Sequence, residues 1–263
     1  VEEMKIWLLK QKQTQDWKTT KATAEACYAL LLSGSDWLSQ NKQPEIRLGT
    51  TQVTIPSNAE AGSGYFKTSW NGKEISNDMG KVTVKTTEAI PNNAAEANTG
   101  ISWGALYWQY FESLDKITPH ATPLSLKKEL FVERASATGP VIELLQPTTV
   151  LKTGDRVKVR IELRVDRDME YVHMKDMRAS GLEPENVLSE YKYQDGLGYY
   201  ESTRDASTNF FFSYLNKGVY VFEYSLRATQ EGDFSNGITT IECMYAPEFS
   251  AHSLGERILI RGK

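Results

Sequence analysis

The chain has 263 residues, of which 40% are hydrophobic and 11% aromatic, a composition typical of globular proteins and not of disordered ones. Thirty basic and 34 acidic side chains give a net charge of −4, which is too small to indicate a nucleic acid partner. No apolar run approaches the roughly 20 residues that span a bilayer, and the start of the chain has no signal-peptide pattern. Because the chain opens without methionine and already inside a helical pattern, we expect it to be a piece of a larger protein.

Two helices are predicted at the start of the chain. Trp7 and Leu8 lie in a stretch with a helical period, and Thr19-Thr20 supply good N-cap residues for a second helix that ends at Ser33-Gly34. The second helix is rich in alanine, which indicates close packing against a neighbouring helix, and it places Cys27 on the same face as leucines. Since one helical hairpin cannot bury both of its faces, we expect its packing partners either outside this chain or in its later segments.

The pattern changes to short strands from about residue 43. Segments 46–48, 53–55 and 81–86 are predicted strands, and Asn71-Gly72 is a hairpin signal because type I′ turns need positive φ at both central positions. Segment 101–111 is apolar on both faces, which predicts a central strand covered on both sides.

The C-terminal half predicts an antiparallel β-sandwich. Segment 157–165 alternates apolar and charged residues, and about six further short strands come after it, with Gly218, Gly232 and Pro247 placed where the chain would reverse. Cys243 falls in one of these strands. We therefore expect the only two cysteines of the chain to be buried free thiols rather than a disulfide, and a disulfide-rich secreted scaffold is excluded.

The sequence predicts no active site and no cofactor. His120, His173 and His252 stand alone, without the spacing of metal ligands, so we predict no metal site. Neither a phosphate-binding loop nor a Gly-x-Ser-x-Gly elbow occurs. Acidic residues are plentiful, but several of them stand beside turns, where they commonly hydrogen-bond backbone amides. We therefore predict that the chain is not an enzyme.

Two sets of residues allow more than one interpretation. Four aromatic residues could stack on carbohydrate, but the favoured interpretation is packing around a central strand: Trp103, Tyr107, Trp108 and Tyr110. Three arginines could bind carboxylates of a partner, but the favoured interpretation pairs them with acidic residues inside the sandwich. The arginines are Arg178, Arg204 and Arg227, and the acidic residues are Asp176, Asp205 and Glu242.

The C-terminal pattern resembles the final domain of bacterial alpha-2-macroglobulins. The matching motifs are a turn that comes after Asp176, an Arg-Asp pair, a Gly-x-Tyr-x-Phe-x-Tyr-x-x-Arg strand and a Glu-x-Met-Tyr-x-Pro segment. They are carried by Tyr200, Arg204, Asp205, Phe211, Gly218, Tyr220, Tyr224, Arg227, Gly232, Phe234, Glu242, Met244, Tyr245 and Pro247. The chain departs from the family at Ala179, where proline is usual. Asp176, Arg204, Asp205, Arg227 and Glu242 form the polar part of this motif.

The resemblance implies three domains in chain order. Trp17, Thr20 and Thr23 carry a signature similar to the closing helices of the family's thioester domain, an α/α toroid. Residues 1–42 would then be the end of that domain, residues 43–118 a CUB-like β region, and residues 119–263 the final macroglobulin-like sandwich. The expected fold is mainly β, with an N-terminal helical hairpin.

The family's function is implied in the same way. Its members trap proteases that cut an exposed bait segment, and a buried thioester between Cys and Gln of a Cys-x-Glu-Gln motif can capture the attacker. Neither Cys27 nor Cys243 has that motif, so any reactive centre lies upstream. The resemblance implies that Met244 and Tyr245 shield the thioester from water. Strand alternation allows two interpretations of this pair, as sandwich core or with one side chain facing outward.

The resemblance also implies partners and a compartment. Proteases are expected to bind through the full-length parent, the thioester domain is expected to be an intramolecular partner, and envelope proteins are possible further partners. The parent is expected in the periplasm or cell envelope, where it could be a lipoprotein. Two alternatives remain open: a non-inhibitory envelope scaffold that has lost the thioester, and a carbohydrate-binding sandwich that uses Trp103 and Trp108.

Overall fold

A computed structural model describes residues 1–34, 44–57, 65–85 and 104–262. The chain divides into two compact units, one of Val1–Leu9 with Trp17–Leu106 and one of Lys10–Asp16 with Tyr107–Lys263. The fold is mainly β, with two N-terminal α-helices, as predicted. The elements in chain order are α1 (Glu2–Thr14), α2 (Thr20–Leu32), β1 (Glu45–Leu48), β2 (Thr51–Gln52), β3 (Val82–Lys85), β4 (Leu124–Ser136), β5 (Gly139–Leu144), β6 (Val150–Lys152), β7 (Arg156–Val165), β8 (Met169–Met177), β9 (Leu182–Pro184), β10 (Glu190–Gln194), β11 (Leu197–Arg204), β12 (Ser207–Leu215), β13 (Gly218–Ala228), β14 (Gly232–Ser235), β15 (Thr239–Cys243), β16 (Ala246–His252) and β17 (Arg257–Arg261).

The second helix begins and ends where its capping residues predict. The amide of Ala22 donates to the Thr19 hydroxyl at 3.1 Å, which satisfies one of the free N–H groups of the first turn. The helix ends at the cap residue Ser33, and Gly34 comes next with φ of +70°, a conformation that glycine adopts without strain. Within the described part of the chain, neither helix is long and apolar enough to cross a membrane.

The alanine-rich face of α2 is mostly open. Ala26 is the buried residue of this helix, whereas Cys27 is exposed. The prediction that both cysteines are buried is therefore wrong for Cys27 and confirmed for Cys243, and both thiols are free. The physical reason is that an apolar helix face becomes core only where another element covers it, which sequence periodicity cannot report.

A small antiparallel sheet of order β2-β1-β3 forms the described part of the middle region. Asn71-Gly72 does not form the predicted hairpin there, because Gly72–Glu74 is a 3₁₀ turn. The Asn71 amide donates to the Glu74 carboxylate at 2.7 Å, and the Glu74 amide donates to the Asn71 carbonyl at 2.8 Å. These local hydrogen bonds favour a capped turn over a type I′ hairpin. The predicted strand at 53–55 is displaced to β2.

Segment 104–111 is not the central strand predicted for it. Its backbone is neither strand nor helix, and the side chains of Tyr107, Trp108, Tyr110 and Phe111 are exposed. Trp103 and the rest of 101–103 lie outside the described residues. The prediction rested on an apolar run alone, and such a run does not reveal whether neighbouring strands exist to cover it.

The C-terminal region is a sandwich of two main sheets, as predicted. One sheet has the order β10-β11-β12-β8-β15-β16 and the other β5-β4-β7-β13-β9, and both are antiparallel. A third, three-stranded sheet of order β14-β17-β6 contains a parallel pairing of β17 with β6. The prediction of about seven strands omits β5, β6, β9, β10, β14 and β16, which are short or lie at sheet edges. Pro247 lies inside β16 and not at a reversal.

The core between the main sheets is aromatic. Phe222 on β13 faces Tyr199, Phe210 and Phe212 of the other sheet, with ring centroids 5.3, 5.4 and 5.6 Å away. The predicted alternation of 157–165 is confirmed in β7, where every second side chain, from Val157 to Val165, is buried. The inward residues of the two sheets thus interlock, which is what makes the pair a sandwich.

The outward face of the second main sheet is a ladder of paired charges. Arg156 contacts Glu133 at 3.2 Å across the strands, and Arg160 contacts Glu223 at 2.6 Å. Glu185 accepts from Arg156 and Arg227 together, at 2.7 and 2.6 Å. Opposite charges at facing positions stabilise an antiparallel pair, and their partial exposure keeps each contribution small.

Candidate functional site

Met244 and Tyr245 form the two-residue turn between β15 and β16. Cys243 and Ala246, on either side of the turn, pair with each other in the ladder and both are buried. Met244 is 56% exposed and Tyr245 is 79% exposed. In a regular strand only one of two adjacent side chains would face outward, but in a turn both side chains can face solvent. The hairpin therefore holds two large apolar side chains in solvent above a buried base.

The hairpin departs from regular geometry beside this turn. Two-residue hairpin turns usually need positive φ, yet neither Met244 nor Tyr245 has it. The register of β15 against β16 shifts between Glu242 and Cys243 instead. The thiol of Cys243 donates to the carbonyl of Glu170 at 3.4 Å, and burial raises the pKa of this thiol, so it is a packed core group and not an activated nucleophile.

Tyr171 lies against the turn. Its carbonyl accepts the Met244 amide at 2.9 Å, and its ring meets the Tyr245 ring edge-on, with centroids 5.3 Å apart and planes at 87°. Its φ is +55°, in the left-handed region that non-glycine residues rarely adopt. Tyr171 was not among the predicted site residues, because backbone strain leaves no signature in residue order.

A shallow cleft of about 280 Å³ lies at the foot of the hairpin, within the sandwich unit. Glu170, Tyr171, Cys243 and Tyr245 line it together with segment 12–16. The Asp16 amide donates to the Glu170 carboxylate at 2.9 Å, so this buried acid is a structural acceptor.

Asp176 is the centre of a buried polar cluster between the two main sheets. The Lys128 ammonium lies 2.7 Å from its carboxylate, with side chains only 4% and 0% exposed. Thr239 donates its hydroxyl to the same carboxylate at 2.6 Å, and the Tyr224 hydroxyl donates to its other oxygen. Lys128 also donates to the Met177 carbonyl at 2.7 Å. The buried charges are thus paired and hydrogen-bonded, as their desolvation requires.

The predicted arginine–carboxylate pairing is wrong in its partners. Asp176 pairs with Lys128, whereas the buried Arg178 donates to the Thr208 hydroxyl at 3.1 Å and to the Arg204 carbonyl. Arg227 is exposed and pairs with Glu185 rather than with Glu242. The side chains of Arg204, Asp205 and Glu242 are exposed. Of the six residues in the predicted pairs, the structure therefore buries only Asp176 and Arg178. The partners of Asp176, Lys128 and Tyr224, were not predicted, because sheet register decides which residues meet.

The buried Tyr224 hydroxyl should make the free energy of unfolding depend on pH. Burial of this hydroxyl, followed by the charge of Asp176, raises the pKa of Tyr224 well above 10.0. The folded state thus keeps a proton that the unfolded chain releases above pH 10, so this contribution to stability is present below that pH and is lost as the pH rises. The variant Tyr224→Phe should be less stable than the wild type at neutral pH, because it lacks the hydrogen bond. The gap should narrow by about 1.4 kcal/mol per pH unit above about pH 10.

Urea midpoints measured from about pH 8 to about pH 11 test this expectation. Tyr199→Phe is a positive control for the linkage: burial, followed by the charge of Glu201, raises the pKa of Tyr199 to about 12, so the gap between this variant and the wild type should change with pH in the same direction. A gap between the wild type and Tyr224→Phe that stays constant across this pH range would contradict the assignment.

Among the described residues there is no group of three or more His, Cys, Asp or Glu side chains that could hold a metal ion. The hairpin offers apolar cover, and the polar cluster is internally satisfied. What the arrangement can do chemically is exclude water from a surface pressed against Met244 and Tyr245.

Residues 124–248, which include both main sheets and the Met244-Tyr245 turn except for the last residues of β16, match the family model described as "Bacterial Alpha-2-macroglobulin MG10 domain". The sandwich belongs to this domain family. The turn at Met244 and Tyr245 thus lies inside the matched part of the MG10 domain. No curated protein sequence matches the chain.

Solved structures of bacterial alpha-2-macroglobulins are similar to parts of the chain. Salmonella alpha-2-macroglobulin reacted with methylamine is 19% identical, with a TM-score of 0.43 over 55% of this chain and 10% of that one. Escherichia coli alpha-2-macroglobulin from domain MG7 to the C-terminus, in its native state, is 16% identical, with a TM-score of 0.43 over 54% of this chain and 24% of that one. The Escherichia coli protein activated by porcine elastase is 16% identical, with a TM-score of 0.48 over 96% of this chain and 21% of that one. The chain therefore spans between a tenth and a quarter of the length of these proteins.

Proposed function

We propose that this chain is the C-terminal part of a bacterial alpha-2-macroglobulin-like protease inhibitor, and that its hairpin shields the thioester of the longer parent protein. The observation that carries the proposal is the exposure of both Met244 and Tyr245 at a turn of an MG10 domain. Two large apolar side chains in solvent are costly for a free surface and useful at a contact that must stay dry.

In this proposal the chain itself performs no catalysis. The parent would act in the periplasm or cell envelope, where proteases would cut its bait segment. The thioester domain would be the intramolecular partner of the hairpin. The domain limits at 42 and 118 and the CUB-like nature of the middle region belong to the same proposal.

The test is the stability of the thioester in the full-length parent. Tyr245→Ala should make the parent react with methylamine about tenfold faster or more, because removing the ring admits water and small amines to the bond. The rate is measured by release of the thioester cysteine. Tyr193→Ala is the matched control, because Tyr193 is 78% exposed on β10, at the opposite edge of the same sheet.

An unchanged rate in Tyr245→Ala would refute the shielding role. The isolated 263-residue chain should itself take up no methylamine, since neither cysteine has the thioester motif. A parent without Cys-x-Glu-Gln would favour the alternative of a non-inhibitory envelope scaffold.

The exposure of Trp108 favours one further candidate function. Trp108 is 49% exposed, and its neighbours Tyr107 and Tyr110 are also open to solvent. Exposed aromatic faces of this kind can stack on sugar rings. Glycan binding by the isolated chain that is lost in Trp108→Ala would support the carbohydrate-binding alternative over the inhibitor.

A further inference from the structure

The conformation of the Met244-Tyr245 turn depends on the backbone that flanks it. Ordinary φ values at both turn positions would splay the two strands of a hairpin, since only the turns with positive φ match the strand twist. The compensation must lie in the flanking backbone. Two irregularities are found there, the register shift at Glu242 and Cys243 and the left-handed conformation of Tyr171.

Tyr171 also interrupts the ladder on the other side of its strand. The residues of β8 that pair with β12 run from Met169 to Met177, with a gap at Tyr171. A bulky residue in the left-handed region is an outlier that persists only where its surroundings impose it. The surroundings do so here, because the neighbouring residues Glu170 and Val172 are both buried.

Each buried neighbour is tied to other elements of the unit. The carbonyl of Glu170 accepts from the Cys243 thiol, and its carboxylate accepts from the Asp16 amide. Val172 pairs with Cys243 in β15 and with Phe212 in β12. The backbone is therefore fixed on both sides of Tyr171, and the left-handed conformation is confined to this one residue of β8.

The two contacts that residue 171 makes explain why it is tyrosine and not glycine. Glycine would adopt φ of +55° without strain and could still accept the Met244 amide. It could not supply the edge-on ring that contacts Tyr245. Tyrosine makes both contacts from one position, at 2.9 Å through its carbonyl and at 5.3 Å between ring centroids. At 48% exposure, Tyr171 contributes little to the core, so core packing does not explain its presence.

We infer that Tyr171 is the positioning residue of the hairpin: its left-handed backbone fixes the Met244 amide, and its ring fixes the direction of Tyr245. That this positioning serves to shield a thioester rests on the proposed function, whereas the positioning itself does not.

Amide hydrogen exchange of the 263-residue chain, read by NMR, tests the backbone half of the role. In Tyr171→Val, a β-branched residue disfavours the left-handed conformation, so the Met244 amide should exchange about tenfold faster. In Tyr171→Gly, the conformation is free of strain and the Met244 amide should stay within about threefold of the wild type. The Met177 amide, which donates to the Ile238 carbonyl at 3.1 Å, is the internal control and should not change.

The ring half of the role is read from the Tyr245 ring protons. Their chemical shifts should move toward free-tyrosine values in Tyr171→Gly and stay close to the wild type in Tyr171→Phe, which retains the ring. Equal exchange of Met244 in the wild type and in Tyr171→Val would overturn the inference. Parallel acceleration of Met244 and Met177 would overturn it as well, since the effect would then be general loosening.

The same variants separate the inference from the proposed function. In the full-length parent, Tyr171→Val should react with methylamine faster, as Tyr245→Ala does. If the Met244 amide exchanges faster but the rate of reaction with methylamine does not change, the positioning role of Tyr171 is supported and the thioester-shielding role is contradicted.

Discussion

Replacing Lys128 with methionine is expected to lower the free energy of unfolding by about 3–5 kcal/mol. The change leaves the Asp176 carboxylate buried between the sheets without its cation, although Thr239 still donates to it. An uncompensated buried charge costs far more than the pair contributes when intact. The measurement is the urea midpoint of the 263-residue chain, followed by circular dichroism.

Lys127→Met is the matched control for this variant. Lys127 is the preceding residue of β4 and pairs with Glu129, but its side chain is 66% exposed. Its loss should leave the urea midpoint unchanged within error, because solvent already screens that pair. Similar midpoints for Lys127→Met and Lys128→Met would contradict the buried-pair assignment.

Phe222→Ala is expected to destabilise the sandwich by about 3–5 kcal/mol as well, but through a cavity rather than a charge. Phe222 is fully buried, and its ring contacts three aromatic rings of the facing sheet. Strand β7 pairs with β13 from Gly218 to Arg227, with Ile161 opposite Phe222, so the backbone is held in place and the space cannot collapse fully. Equilibrium unfolding in urea gives the change.

Val221→Ala tests whether position or chemistry decides the result. Val221 is the preceding residue of β13 and faces outward, 38% exposed. Truncation there should cost less than about 1 kcal/mol. Equal losses at both positions would mean that β13 is not packed as the structure shows.

Local patterns predicted those parts of the fold that depend on few neighbours. The alternation of β7 and the N-cap at Thr19 arise from the chemistry of adjacent residues, and the structure confirms both. The predictions for segment 104–111 and for Cys27 were wrong for one shared reason. An apolar pattern indicates that a surface should be covered, and it does not indicate that the covering element belongs to the same chain segment.

The candidate site shows the same division. The resemblance to a family motif predicted Met244 and Tyr245 as site residues, but only the structure shows that they lie in a turn. Lys128 and Tyr224 meet Asp176 only because β4, β8 and β13 are brought together by register and sheet packing. Tyr171 was beyond prediction, because the residue order does not encode a single left-handed φ in a strand.

The charge ladder on β4, β7 and β13 gives the sandwich two unequal sides. Its cations and anions already neutralise one another at close range, so an approaching protein would have to strip water from satisfied pairs and would gain no new partner. That side discourages association. The opposite sheet, which carries the Met244-Tyr245 turn, lacks this electrostatic barrier at its tip. The charge-paired sheet therefore restricts which face of the domain can contact another protein, just as the exposed Met244-Tyr245 turn does.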